Sequence, residues 1–529
     1  MKPTIEMPEI PEEERTPTVI VLLNIISQLN EYIRFLAEEN QNLKDEIARL
    51  KGGNPRPKIK ASTLEKMDIL EKSSSRGERR KRRKKRIKIH KKIKLQPENI
   101  PTGSKFIGYK DFIEQDIIIQ PYNKVYKRGR WKTPDGSWLI APLPKGVKGH
   151  FGAALKQYIL DLSYGMNVPH DLILERLWEL DIEISSGQLQ NILTENHESF
   201  HEEKEQLLDI GLKEFQYIQV DDTGSRHQGR NGYCTCVRND FFTYFKSTES
   251  KSRINFLKIL RGRGTDYVLT AESLSYMEAQ GLKSSQFARI KGAFGRILAN
   301  DDEWNSFLRM VGIRQANEVK IVTEAALLGS ILYHGINPDL VILSDEAGQF
   351  DILLHALCWI HAERKLSILL PFNDYERKIL GEIRDEIWSY YRDLKMYKNS
   401  PDEDKKRQIE TRFEEIFTRK TEFETINKAL RSIYNIRRGL LMALDRPDVP
   451  LHNNGTENDI RVQVTKRKIH GQTRSDPGRK CRDTFMSLKK TCRKLGISFN
   501  DYLYDRLSGA GNILPLHEIM LQKAFKDTC

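Results

Sequence analysis

A heptad repeat near the amino terminus restricts the fold of this chain more than any other pattern in it. Five leucines recur at intervals of seven residues: Leu22, Leu29, Leu36, Leu43 and Leu50. Three residues before each leucine stands the second member of the repeat: Val19, Ile26, Ile33, Asn40 and Ile47. β-Branched residues at one position and leucine at the other favour two parallel strands, and a buried asparagine is tolerated opposite its own copy. We therefore predict a parallel homodimer through residues 19–50; the alternative is an amphipathic helix packed on its own chain.

A basic arm follows the repeat and holds most of the positive charge. Residues 52–57 end the coil with Gly-Gly-Asn-Pro-Arg-Pro. Residues 76–94 then contain thirteen lysines and arginines against one acid, in a chain of net charge +14. Like charges repel, so we expect this arm to stay disordered until it meets DNA phosphates; a solvated tail and a localisation signal are the alternatives. The arm residues expected on DNA are Arg79, Arg80, Arg82, Arg83, Lys84 and Lys85.

Several protein classes are excluded by the order and composition of the chain. In zipper transcription factors the basic helix precedes the zipper, whereas here it follows behind glycines and prolines. No apolar run approaches the roughly 20 residues that a membrane-spanning helix needs, and the acidic start is unlike a signal peptide. Six cysteines in 529 residues make no disulfide framework. We expect a cytoplasmic, nucleoid-associated protein with no membrane partner.

Residues 105–200 combine short strands with helices. The predicted strands are Asp116–Gln120, Val125–Tyr126 and Trp138–Ile140. The predicted helices are Ala153–Ser163, His170–Leu180 and Gln188–Thr194. The last two helices, with Ser185 before the second, suit a helix-turn-helix that reads DNA, although any helical bundle has such turns.

Acidic residues stand near the ends of three predicted core elements. Asp221 and Asp222 follow the strand that begins at Tyr217, Asp345 ends the apolar strand that begins at Leu340, and Glu457 begins a helix. Strand alternation sends Asp221 and Asp222 to opposite faces, so at most one points at a given site. Two such acids and one from a helix can hold two metal ions about 4 Å apart, and hard oxygens suit Mg²⁺ or Mn²⁺. Taken singly, each acid is read more simply as a cap or a surface charge.

Other residues of these segments have simpler interpretations. Strands predicted at 217–223, 233–237 and 241–245, with a hairpin at 239–240 and a helix at 252–260, match the opening of a ribonuclease-H-like domain. Thr456 is a possible cap of the helix that holds Glu457. Cys358 and His361 have the spacing of half a zinc site, but no second pair is evident, so we read them as a buried helix face. Cys234 and Cys236 are read as packing residues.

Three blocks resemble the DDE transposases of the insertion-sequence-66 family. The first is 220–223 (Val-Asp-Asp-Thr), and the second is 344–345 (Ser-Asp) with 358–365 (Cys-Trp-Ile-His-Ala-Glu-Arg-Lys). The third and most specific is 453–461 (Asn-Asn-Gly-Thr-Glu-Asn-Asp-Ile-Arg) through 466–468 (Lys-Arg-Lys). The likeness covers about residues 200–509.

The resemblance implies a function and a set of site residues. It implies Asp221, in preference to Asp222, with Asp345 and Glu457 as a triad that binds two Mg²⁺ or Mn²⁺ ions. It implies an α/β (α+β) fold with a ribonuclease-H-like core, and metal-dependent cleavage and strand transfer at the ends of an insertion element. The partners would be double-stranded DNA, as terminal repeats and as target. The residues expected near bound phosphates are Arg461, Lys466, Arg467 and Lys468.

The resemblance also suggests domain boundaries and an alternative. We predict an acidic tail (1–16), a coiled coil (17–51), a basic arm (52–104), a DNA-binding region (105–200), the first part of the core (201–371), a helical insertion (372–445), the last part of the core (446–509) and a tail (510–529). The family's cysteine zinc ribbon is missing, His452 stands where the family has Asp, and Glu363 replaces an Arg. These departures leave open a catalytically inactive relative that binds DNA as a repressor or accessory subunit.

Overall fold

The computed structural model describes residues 89–144, 146, 147 and 149–526, together with 16–19, 21, 22, 25, 26, 28, 29 and 32. Among the last group, the residues from 17 onward are helical, and Leu22 and Leu29 are 52% and 55% exposed. Most heptad positions, and the six arm residues expected on DNA, lie outside the described residues. The homodimer and the arm's DNA contacts therefore stay predictions.

One β-hairpin interrupts the extended segment 89–144. Its strands, β1 (Arg130–Lys132) and β2 (Trp138–Ile140), pair antiparallel. The strand predicted at Trp138–Ile140 is confirmed, whereas those predicted at Asp116–Gln120 and Val125–Tyr126 are wrong. A strand needs a neighbour for its backbone N–H and C=O groups, and neither run pairs with one in the described chain.

Four helices connect this segment to the main sheet: α1 (Ala153–Leu160), α2 (His170–Glu179), α3 (Ser186–Thr194) and α4 (Glu198–Lys213). A π-helical turn, Asp161–Gly165, continues α1. Ser185 caps α3, because its hydroxyl accepts the Gln188 N–H at 3.2 Å while the Gln188 side chain accepts the Ser185 N–H at 2.9 Å. The three predicted helices are present, with ends shifted by up to three residues.

A five-stranded mixed sheet forms the centre of the protein. The elements that contain and connect its strands are β3 (Tyr217–His227), β4 (Arg230–Arg238), β5 (Thr243–Thr248), α5 (Arg253–Arg261), β6 (Tyr267–Val268), α6 (Ala271–Ala279), α7 (Ser284–Lys291), β7 (Ile297–Leu298), α8 (Asp301–Met310), α9 (Ala316–Tyr333), β8 (Val341–Ser344) and β9 (Leu354–Leu357). The strand order is β5-β4-β3-β8-β9, with β8 and β9 parallel to β3 and the other neighbours antiparallel. β3 runs to His227, so Asp221 and Asp222 lie inside the strand instead of at its end. β9 was not predicted.

A helical segment follows β9. Its helices are α10 (Trp359–Ser367), α11 (Asp374–Asn399), α12 (Glu403–Phe417), α13 (Glu424–Asn435), α14 (Arg437–Leu440) and α15 (Met442–Asp445). They share an apolar core with Trp359 at its centre, and the Trp359 indole donates to the Leu440 carbonyl at 2.9 Å. Because α14 and α15 pack against β9, this segment returns the chain to the sheet.

Four helices end the described chain: α16 (Asn454–His470), α17 (Asp476–Lys494), α18 (Phe499–Ser508) and α19 (Leu516–Lys526). α16 lies on β3 and β4, and α17 lies along β5, while α5 and α9 line the opposite side of the sheet. α17, α18 and α19 also pack on α1, α3 and α4. The helical part of region 105–200 therefore shares its core with the sheet. None of the described helices is long and apolar enough to cross a bilayer.

Candidate active site

Asp221 and Asp345 come together on neighbouring parallel strands. In the β3–β8 ladder Tyr217 is opposite Val341 and Gln219 is opposite Leu343. Continuing this register by two residues brings Asp345 beside Asp221, on strands spaced about 4.8 Å apart. Asp345 directly follows β8, and its carboxylate accepts the Ala347 N–H at 3.0 Å. The two carboxylates therefore stand at the same level of the sheet.

The pleat of β3 separates Asp221 from Asp222. Asp221 is opposite Cys236 of β4, and Cys236 packs with side chains of α16. Asp222 is opposite Thr235, whose hydroxyl donates to it, and it accepts a second hydrogen bond from the Gln349 amide at 3.0 Å. Side chains directly opposite each other in a ladder share a face. Asp221 thus lies on the face that α16 covers, and Asp222 lies on the other.

Three hydrogen bonds fix the start of α16 against β3 and α10. The Asn453 amide donates to the Val220 carbonyl at 2.8 Å, and the Asn453 backbone N–H donates to the Cys358 thiol at 3.2 Å. The Gln219 amide donates to the His452 carbonyl at 2.9 Å. The segment before α16 is therefore held between two elements that lie far from it in sequence.

α16 begins one turn earlier than its predicted cap. Asn453 occupies the cap position, and Thr456 is the third residue of the helix. The prediction of Thr456 as the cap is wrong: its hydroxyl is buried and donates to the Asn453 side-chain oxygen at 2.7 Å. Glu457 lies in the first turn as predicted, where the helix dipole favours a carboxylate.

Gly455 allows the first turn of α16 to approach the sheet. A Cβ atom there would lie 2.0 Å from Nη1 of Arg238 and 2.6 Å from Oε1 of Gln219. Arg238 is 7% exposed and donates to Gln219, so its guanidinium has little room to move. Glycine at this position therefore sets the distance between Glu457 and β3.

A buried charge cluster holds α16 in its orientation. The Asp459 carboxylate lies 2.7 Å from Lys494, 3.1 Å from Lys490 and 3.3 Å from Arg238, and accepts the Thr243 hydroxyl at 2.7 Å. Burial opposes ionisation of Asp459, but the three cations outweigh it and hold its pKa at about 2. The sequence pattern did not predict this cluster. It shows only that Asp459 stands two residues after Glu457, on a different side of the helix.

Glu457 faces two side chains of α10. Its Oε1 lies 3.8 Å from Nε2 of His361 and 3.9 Å from Nη2 of Arg364. Arg364 donates to Nε2 of His361 at 3.2 Å, so this nitrogen is the acceptor and the ring proton is assigned to Nδ1. Burial and the Arg364 charge lower the pKa of His361. The positive charge facing Glu457 therefore comes from Arg364.

The three predicted acids share one electrostatic environment. Burial raises the pKa of Asp221 to about 7, a hydrogen bond from the Asp222 N–H opposes this shift, and the charges of Asp345, Asp222 and Glu457 add to it. Each further negative charge makes ionisation of Asp221 less favourable. The carboxylates thus act on one another, and a bound cation would relieve their repulsion.

The donor chemistry of these acids fits a divalent cation, although they do not form a ready-made cage. Among the described residues, no group of three or more His, Cys, Asp or Glu side chains converges closely enough to hold a metal ion. Mg²⁺ is commonly held by one or two carboxylates together with substrate phosphates and water, instead of an all-protein cage. Asp221, whose pKa is raised by burial and by the neighbouring carboxylates, suits that mode of binding together with Asp345 and Glu457.

The basic residues of α16 divide into exposed and buried members. Arg461 and Lys468 are exposed, and Arg467 is half-buried with its guanidinium close to Gly224 of β3. Lys466 is 3% exposed and donates to the Ser163 carbonyl; burial and nearby cations lower its pKa to about 6. The expectation that Lys466 contacts DNA phosphates does not fit this buried position. Periodicity could not reveal it, because the covering π-helical turn is far away in sequence.

The cysteines of the site region are packing residues. Cys234 and Cys236 are buried with Phe245 and Met486, as predicted. Cys358 is buried, its pKa is raised to about 11 by burial, and its thiol accepts the hydrogen bond described above. No zinc-like group includes it within the described chain.

The residues that depart from the family pattern have structural partners. Glu363 is 1% exposed and forms an ion pair of 2.7 Å with Arg384 of α11. His452 contributes its backbone carbonyl to the Gln219 hydrogen bond. Glu363 therefore stabilises the packing of α10 on α11. The presence of Glu where the family has Arg does not change the three acids.

Comparison with known proteins adds an independent observation. A family model described as "Transposase IS66 family" matches residues 344–480, which include Asp345, the helical insertion and Glu457. A protein of Sinorhizobium fredii (strain NBRC 101917 / NGR234), described as "Uncharacterized protein y4jO", is 42% identical over 323 residues, which is 60% of this chain and 100% of that protein. No solved structure matches the chain.

Proposed function

Because the chain belongs to the IS66 transposase family, whose model matches residues 344–480, we propose that it cleaves DNA at the ends of an insertion element and joins them to target DNA. Asp221, Asp345 and Glu457 are its catalytic carboxylates in this proposal. The observation that supports it most is the β3–β8 register: continued by two residues beyond Gln219 and Leu343, it brings Asp345 beside Asp221, whose pKa is raised by burial and by the charges of Asp345, Asp222 and Glu457.

The proposed catalytic core is ribonuclease-H-like and discontinuous in sequence. It comprises residues 201–371 and 446–509, with residues 372–445 inserted. The support is the sheet itself: three antiparallel strands followed by two parallel ones, with Asp221 in the central strand β3 and Asp345 directly after its neighbour β8. The insertion leaves the sheet at β9 and returns to it through α14 and α15, so it separates the acids in sequence but not in space.

Two Mg²⁺ or Mn²⁺ ions are the proposed cofactors, held by Asp221, Asp345 and Glu457. When bound, such ions stabilise charge on the scissile phosphate and lower the pKa of an attacking water. The protein's part is positional: Asn453 and Gly455 set the depth of α16 on the sheet, and Asp459 fixes its orientation. Arg364 balances the charge of Glu457 before substrate arrives.

The proposed reaction has two displacements at phosphorus. Water attacks the scissile phosphate in line, the bond to the 3′ oxygen breaks, and that oxygen leaves as a 3′ hydroxyl. The 3′ hydroxyl then attacks a phosphate of target DNA, and a target 3′ oxygen leaves in turn. Arg461, Arg467 and Lys468 would hold the phosphates beside the cut, since guanidinium groups match phosphate geometry.

The proposed partners follow from the same reaction. Double-stranded DNA, as terminal repeats and as target, would contact the arm residues 79–85 and the hairpin β1–β2, where Arg130 and Lys132 are exposed. A homodimer through residues 19–50 would bring two active sites to two DNA ends. The proposed location is the cytoplasm, on the nucleoid.

Cleavage of the element's own ends tests this function. The full chain should nick end-containing DNA in Mg²⁺, and Asp345→Asn should abolish nicking while binding of the same DNA persists. Asp339→Asn, an exposed acid six residues earlier, is the matched control and should cut normally. Retained cutting by Asp345→Asn ends the catalytic assignment. DNA binding without cutting by the unaltered chain would leave the alternative, an inactive DNA-binding relative.

A further inference from the structure

A second pair of helices, on elements that carry none of the three acids, has the geometry of a DNA reader. α6 and α7 are joined by four residues, Gln280–Lys283. Within this turn Gly281 has φ +73°, a conformation that favours glycine. Two helices joined by a three- or four-residue turn that contains glycine is the arrangement of a helix-turn-helix.

The inner side of this pair is firmly packed. Met277 and Ile290 are fully buried, and Leu282 is 8% exposed. The Gln286 amide donates to the Glu318 carboxylate of α9 at 3.0 Å, so α7 is tied to a helix that lines the sheet. The outer face of α7 therefore has a fixed position relative to the catalytic sheet.

The turn and the second helix of the pair are exposed and basic, whereas α6 carries two exposed acids, Glu272 and Glu278. Residues 280–298 contain four basic residues and no acid: Lys283, Arg289, Lys291 and Arg296. All four are exposed, as are Ser284 and Ser285 at the start of α7. The Arg289 guanidinium already donates to the Val311 carbonyl at 3.4 Å, which leaves three cations for phosphates. A short positive face beside small polar side chains suits a DNA groove.

The helix pair that the sequence pattern singled out, α2 and α3, has the opposite charge. Residues 170–194 contain five acids, Asp171, Glu175, Glu179, Asp181 and Glu183, against one basic residue, Arg176. DNA affinity depends mainly on neutralised phosphates, and a face of net negative charge opposes it. Residues 271–296, which include both α6 and α7, contain four basic residues against two acids, Glu272 and Glu278, so the two helix pairs differ in the sign of their net charge.

We propose that α6 and α7 form a helix-turn-helix that places α7 in the major groove of the element's end DNA. The major groove is wide enough to admit one helix. Ser284 and Ser285 would face base edges from the first turn of α7, and Lys283, Lys291 and Arg296 would contact the phosphates on either side. This inference rests on the proposed function, because it takes the duplex to be the one that is cut.

Site-specific photo-crosslinking tests the placement of α7. A photoreactive amino acid at Ser285 of the full chain should crosslink to a duplex that contains the element's end. The matched control is the same amino acid at Gln190, an equally exposed position on α3, which should not crosslink. If Gln190 crosslinks and Ser285 does not, while the DNA is still cut, this inference is overturned and the proposed function is unaffected. Absent cleavage with crosslinking at Ser285 overturns the proposed function alone.

Charge removal gives a second and independent measurement. The full chain with Lys283→Ala, Lys291→Ala and Arg296→Ala should bind this duplex about 10- to 100-fold more weakly, and the slope of log affinity against log salt should fall by about 2 to 3. A control with Lys405→Ala, Lys420→Ala and Arg438→Ala removes three exposed charges from the helical insertion and should bind as the unaltered chain does. An unchanged slope in the first variant contradicts the proposal.

Discussion

The backbone N–H of Asn453 donates to the thiol of Cys358 at 3.2 Å, across 95 residues of sequence. A second bond, from the Trp359 N–H to the Leu451 carbonyl at 3.0 Å, runs beside it. Together they join the start of α16 to the start of α10 and bring Glu457 to His361. Cys358 therefore acts as a hydrogen-bond acceptor that positions the third acid.

Loss of the Cys358 sulfur should weaken this join. Cys358→Ala leaves the buried Asn453 N–H without its acceptor, and we expect a loss of about 1–3 kcal/mol in the free energy of unfolding. Cys358→Ser keeps an acceptor and should recover part of that loss and most of the DNA cleavage. Chemical denaturation measures the first effect. Equal behaviour of the two variants would contradict the role of the sulfur.

A methyl group at Gly455 should disturb the site through Arg238. Gly455→Ala puts a Cβ 2.0 Å from the Arg238 guanidinium, so either α16 or Arg238 must shift, and we expect a loss of about 1–3 kcal/mol with at least tenfold slower cleavage. The control is Gly381→Ala in the middle of α11, where a Cβ would meet no atom within 4 Å. That variant should gain roughly 0.5–1 kcal/mol. Unaltered cleavage by Gly455→Ala would refute the close approach.

Replacing Asp459 should leave three cations without their shared anion. We expect Asp459→Asn to lose roughly 3–5 kcal/mol at neutral pH. The folded pKa of Asp459 is about 2, below the usual carboxyl pKa of 3.8. The stability gained from ionisation is therefore present above pH 4 and lost as the pH falls towards 2. Urea titrations measure the difference in free energy of unfolding between the unaltered chain and the variant, and this difference should decrease from pH 6 to pH 3. A difference that stays constant would mean that the charge of Asp459 is not its cause.

Neutralising Asp221 should stabilise the metal-free protein while it abolishes cleavage. The folded pKa of Asp221 is about 7, above the usual carboxyl pKa of 3.8. The free energy of unfolding therefore decreases as the pH rises from about 4 to about 7, and it stays lower above pH 7. Asp221→Asn avoids it, so at pH 8 without divalent metal we expect a gain of about 2–4 kcal/mol that disappears near pH 4. Thermal unfolding in a chelator measures this gain. The exposed control Asp339→Asn should give no such gain at pH 8.

The heptad repeat predicts the assembly state. Leu29→Glu with Leu36→Glu places charges at two seam positions, where burial is costly, and should halve the sedimentation mass of the full chain. Gln28→Glu with Gln41→Glu adds the same charge outside the seam and should leave the dimer intact. A monomeric unaltered chain at tens of micromolar would rule out the predicted zipper.

Local pattern was enough to predict many elements of this protein. Helical periodicity found α2 and α3, and strand alternation put Cys234 and Cys236 on one buried face. Each of these features depends on residues that are close together in the chain, so the sequence alone is enough to predict it. The strands predicted near residues 116–126 failed for the converse reason, since a strand also depends on a partner that local pattern does not supply.

The sequence by itself determined which elements form and which acids are available, because helix caps, periodicity and residue chemistry are local properties. Only the tertiary structure decided that Asp221 lies beside Asp345, that Asn453 instead of Thr456 begins α16, and that Lys466 is buried while Asp459 holds three cations. These outcomes depend on strand register, on burial and on interactions between charged groups of segments that lie hundreds of residues apart. Such interactions form only when the chain folds.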